Sequence, residues 1–97
     1  MEELSEDIKQ YNELMEEFRN LDSSDYITAY RLSQTALSLA DRWNEIMFDC
    51  IRYAKELNKT KSEVSAYCYE KCKILLKLHD FARMVYRQGS YALRGEE

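Results

Sequence analysis

Nine positions constrain this chain more than any others. Ala29, Leu32, Ala36, Leu39, Trp43, Ile46, Cys50, Tyr53 and Leu57 alternate spacings of three and four without a fault, and all nine are apolar. At 45% apolar content a run of that length arises by chance roughly once in a thousand tries per register. The stretch is therefore a heptad seam, the pattern of one long helix with a single continuous contact line. No proline or glycine lies between Tyr26 and Leu57. One helix over residues 25–57 is expected, about 33 residues and close to 50 Å long.

The flanking segments carry the same periodicity. Leu4, Ile8, Tyr11, Met15 and Phe18 repeat at four and three, predicting a helix over 4–21 with its acids crowded into the first turns, where the helix dipole favours them. The run DSSD, residues 22–25, reads as a turn and as the N-cap of the next helix. Asn58 tolerates the left-handed conformation, and Thr60 with Glu63 three residues on is a capping box. A third helix is then expected over 61–88, with Val64, Tyr67, Cys68, Cys72, Leu75, Leu78, Ala82 and Val85 inward, Gly89 as its stop, and 89–97 as a flexible tail.

The chain has 97 residues, no proline, and two glycines near its C-terminal end. Strand-rich folds need turn residues throughout, so this shortage points to a few long helices. The expectation is a single all-α domain over 1–97. It is a long antiparallel hairpin with a shorter N-terminal helix beside it, a three-helix bundle that dimerises into a larger one. The acidic opening MEELSEDIKQ does not resemble a secretory leader, and no apolar run is long enough for a membrane span. A cytoplasmic protein with reduced thiols and no membrane association is expected.

Length locates the functional surface. The first helix, half as long as the second, should cover only the second's N-terminal half. Yet the second helix becomes most apolar beyond that point, around about 200° of its circumference, where a hairpin needs about 100°. Trp43, Met47, Phe48 and Ile51, with Tyr69 and Leu76 opposite, form the expected dimer or partner contact. The function expected is that of a small helical adaptor or inhibitor that binds another protein, with neither enzymatic activity nor a cofactor. Proteins of this compact, motif-free kind are often phage or mobile-element products.

A second class of partner follows from charge. Net charge is −4, but residues 1–25 hold nine acids against Lys9 and Arg19, while residues 50–95 hold four acids against ten bases. Arg52, Lys55, Lys59 and Lys61 cluster at the hairpin turn; Lys73, Lys77, Arg83 and Arg87 lie on the third helix. Those residues are the candidate contacts for nucleic acid or a nucleotide, with Tyr26, Tyr30, Tyr69, Tyr86 and Tyr91, expected to be partly exposed, available for stacking, particularly beside Arg83 and Arg87. The overall pI near 5.1 weighs against that alternative.

Cys50, Cys68 and Cys72 can be neighbours across the hairpin, but zinc needs a fourth ligand. His79, the only histidine, lies seven residues beyond Cys72, about 10 Å along the axis. The thiols are read as core, with no metal or cofactor expected. No phosphate loop, paired-carboxylate site, nucleophile elbow or calcium loop is present, and the seams are almost entirely apolar, where a catalytic bundle needs inward polar groups on more than one helix.

Overall fold

The computed structural model describes residues 2–95 and, of their side chains, those of 4–55 and 57–89. Four helices follow one another: α1 (Glu2–Arg19), α2 (Tyr26–Phe48), α3 (Cys50–Leu57) and α4 (Lys61–Gly95). No strand occurs among the described residues, and the helices form a rod of 57 × 19 × 15 Å. The fold is all-α, with α2 and α4 as its main hairpin.

The turns form where the side chains can satisfy orphan backbone groups. Asp22 accepts from the Ser24 amide and hydroxyl, and Asp25 caps α2 by accepting from the Thr28 amide at 3.1 Å and its hydroxyl at 2.6 Å. At the hairpin turn Asn58 adopts φ 53°, ψ 44°. The Lys59 amide reaches back to the Ala54 carbonyl, and the Asn58 amide to that of Lys55, the paired bonds of a Schellman motif. Thr60 and Glu63 then exchange side-chain-to-backbone bonds of 3.3 and 3.2 Å, completing the capping box.

Two boundaries differ from the sequence pattern. The 25–57 helix is broken at Asp49 (φ −101°, ψ 35°), which separates α2 from α3. Aspartate is a poor interior helix residue and a good first one. Asp49 stands at the N-cap place of α3, its amide still bonded to Glu45 O and its carboxylate 3.6 Å from Arg52. The second difference is at Gly89, which does not end α4; the helix continues to Gly95, so 89–95 is not a tail. Gly89 serves close approach instead. A Cβ there would lie 2.5 Å from both Cβ and Cγ of Tyr26, at the start of α2. The last two residues of the expected tail, 96 and 97, lie outside the described residues.

The α2–α4 contact is lined with small residues, Ala29, Ala36, Cys68 and Ala82, all buried, which lets the two helices run close together. The buried Ser33 hydroxyl donates to the Tyr30 carbonyl at 2.7 Å. Against one flank of this hairpin lies α1, antiparallel to α2. Arg31 meets Glu17 at 2.9 Å near one end, and Arg42 grips Asp7 through two bonds, 3.1 and 3.0 Å, near the other. The Asp7–Arg42 pair is the more sheltered of the two and fixes how far α1 slides along α2. Leu4 is buried beyond it.

Candidate functional site

The flank opposite α1 is left open. There a groove of about 460 Å³ runs between α2 and α4, with Ala40 and Cys72 in its floor and Met47, Tyr69 and Leu76 in its walls. The Cys72 thiol lies 3.5 Å from the Ala40 carbonyl and donates to it. Asp41, Asp80, Lys73 and Lys77 also line the groove, giving it charges of both signs. Every lining residue comes from α2 or α4. Toward the hairpin turn a second cleft shares Met47 and Tyr69 and reaches Cys50 and Ser65.

Large apolar side chains are exposed on this side, as Ile27, Phe81 and Met84 are toward the other end of the hairpin. Phe48 is 83% exposed, Ile51 71%, Tyr69 60% and Leu76 46%, while Met47 is half-buried. Phe48 and Ile51 straddle the break at Asp49 and lie outside the groove's lining, so they extend the apolar surface next to Met47 rather than deepen it. Trp43 does not belong with them. It is 0% exposed, because α1 reaches farther along α2 than its length alone suggested and brings the Tyr11 ring edge-on to the indole at 6.3 Å.

Around Trp43 the structure assembles a feature that sequence reading missed. The Lys71 ammonium sits 3.8 Å from the ring centre of Tyr11, 4.6 Å from that of Tyr67 and 5.5 Å from that of Trp43. Burial pushes the Lys71 pKa down, with Cys68 acting in the opposite direction. A strict three-and-four count gives 64, 68, 71, 75, 78, 82 and 85, so the seam of α4 passes through Lys71. Reading that position as Cys72 hid the lysine. The Trp43 indole N–H is buried with no acceptor.

The thiols have the chemistry of a core. Cys50 and Cys68 are buried and Cys72 is half-buried, all three free. Burial, then the proximity of Cys72 and Cys50, pushes the Cys68 thiol up to about 11. Metal ligation needs thiolates, and this environment opposes their formation. Among the described residues no three His, Cys, Asp or Glu side chains are grouped to hold a metal ion. His79 is occupied elsewhere, with Nδ1 2.8 Å from the Ser33 carbonyl oxygen across the hairpin.

The eight basic candidates do not make one surface. Arg52 lies beside Asp49, over the Tyr53 ring at 5.3 Å, and Lys55, Lys59 and Lys61 are exposed around the turn. Lys73 and Lys77 line the apolar groove. Arg83 and Arg87 line a separate cleft toward the other end of the hairpin. No helix among the described residues is long and apolar enough to cross a membrane. Comparison with known protein families, with curated proteins and with solved structures finds no match.

Proposed function

We propose that this protein acts by binding, as an adaptor or inhibitor, and that the apolar groove between α2 and α4 is first occupied by a second copy of the chain. The observation that carries this reading is the exposure of Phe48, Ile51, Tyr69 and Leu76 at one end of the hairpin, on and beside a groove that α1 leaves uncovered. Contiguous apolar surface of this kind is costly in water and commonly marks an interface. Two hairpins laid groove to groove complete a four-helix core, and two-fold pairing is the commonest way identical chains associate.

Charge supports a like partner. The groove is lined by two acids and two lysines, so it has no net charge of its own. A two-fold pairing with the α4 helices antiparallel carries Lys73 and Lys77 of each copy toward Asp80 and Asp41 of the other. A strongly acidic or basic partner would satisfy only half of them.

Sedimentation of the wild-type chain beside Leu76→Glu and Phe48→Glu tests the reading. The wild type is expected at twice its 11.6 kDa mass, and Leu76→Glu at the single-chain mass with unchanged helical circular dichroism. A wild-type chain that stays monomeric up to millimolar concentration would refute self-association through the groove.

A further inference from the structure

The hairpin's other end holds a cleft of about 320 Å³ that the apolar groove does not include. We propose that it is a nucleotide site, in which Arg83 and Arg87 take the phosphate and the Tyr30–Tyr86 pair takes the base. The cleft is lined by these four residues together with His79 and Leu37, and no acid is among its lining residues.

One side of the cleft is built by helical spacing. His79, Arg83 and Arg87 recur every four residues along α4, so their side chains rise about 6 Å apart on one face. Both arginines are exposed, and neither has an ion-pair or hydrogen-bond partner among the described residues. That matters because most other arginines here are spent: Arg19, Arg31, Arg42 and Arg52 each lie within 4 Å of a carboxylate. Asp80 does not line this cleft, although it shares the adjoining one with both arginines without pairing with either. A guanidinium fork without a carboxylate is suited to phosphate oxygens, which it can hold through two parallel bonds.

His79 is anchored beside the arginines. A carbonyl oxygen only accepts, so the bond to Ser33 places the proton on Nδ1. The ring is thereby held across the hairpin, in the lining of the cleft. The Tyr30 and Tyr86 rings, one from each helix, lie 5.0 Å apart with 48° between their planes, both exposed. Leu37 extends their apolar surface. Phosphate-binding cations beside exposed aromatic faces are the pairing that nucleotide recognition uses, whether the nucleotide is free or one unit of a single strand. The volume matches the small end of ligand sites, about 300 Å³.

Calorimetric titration at low salt with ATP, inorganic tripolyphosphate, adenosine and a short oligothymidylate tests the assignment on the intact chain. ATP is expected to bind more tightly than tripolyphosphate, and adenosine weakest. Arg83→Glu and Arg87→Glu should each weaken ATP about tenfold or more, the loss typical of a charge-assisted bond. Tyr86→Ala should weaken ATP and spare tripolyphosphate. Tighter binding of the oligothymidylate than of ATP would support the site and assign its ligand to single strands. Repeating the titration with Leu76→Glu separates this site from self-association, since the cleft lies within one copy. No ATP or oligothymidylate binding to either chain would overturn the proposal, as would ATP binding indifferent to Tyr86→Ala.

Discussion

Replacing Lys71 by methionine asks whether a cation belongs in this core. Methionine keeps an unbranched apolar stem of similar length and removes the charge. Two effects oppose each other. Withdrawing an ammonium from water disfavours the charged form, which is the direction in which burial moves this pKa. Against it stand three aromatic faces with centres at 3.8, 4.6 and 5.5 Å. One such contact contributes about 0.5–1 kcal/mol at an exposed site and about 2 kcal/mol when desolvated. Lys71 is half-buried, so three faces together should exceed the desolvation cost by about 1–2 kcal/mol. For a domain of this size that is a fall in Tm of roughly 5–15 °C. Thermal unfolding followed by circular dichroism measures it directly. In a Tyr11→Leu background, which removes the nearest ring, the penalty of Lys71→Met should shrink. A Lys71→Met chain that melts at or above the wild-type temperature would refute the reasoning, because burial would then outweigh the rings.

Two further outcomes follow from particular contacts. Gly89→Ala gains about 1 kcal/mol of helix propensity but forces a methyl into Tyr26, an overpacking that costs about 1–3 kcal/mol; urea unfolding should show a net loss, and equal or greater stability would mean the end of α4 shifts freely. Cys68 holds its proton to about 11 in the folded chain against about 9 when unfolded, so its contribution is complete below pH 9 and disappears as pH rises toward 11. The loss amounts to about 2–3 kcal/mol, and urea titrations across that window should fall less steeply for Cys68→Ala; an equal slope would remove Cys68 as the cause.

Much of the fold could be read from side chains that act locally. Asp25, Asn58, Thr60 and Glu63 each satisfy backbone groups within three residues of themselves, so their roles show in sequence. What could not be read depends on distant neighbours. Gly89 looks like a stop until Tyr26 is found against it. Trp43 looks like surplus apolar surface until Asp7 and Arg42 set how far α1 extends. The exposed set around Phe48, Ile51, Tyr69 and Leu76 was legible because it follows from helix lengths and periodicity alone. The break at Asp49 was not, since no glycine or proline marks it. Within the candidate cleft, Arg83 and Arg87 were visible as exposed charges, whereas the anchoring of His79 by Ser33 needs the opposite helix.

The one-sided placement of α1 has a consequence for growth. A rod with two bare flanks can add neighbours on both sides without end, the route by which open contacts build fibres. Here one flank is already occupied by the chain's own first helix, clamped through Asp7 and Arg42. The proposed pairing across the remaining flank would use up the open groove of both molecules at once. If copies pair through the open flank as proposed, the short helix acts as a terminator that sets the assembly's upper limit at two.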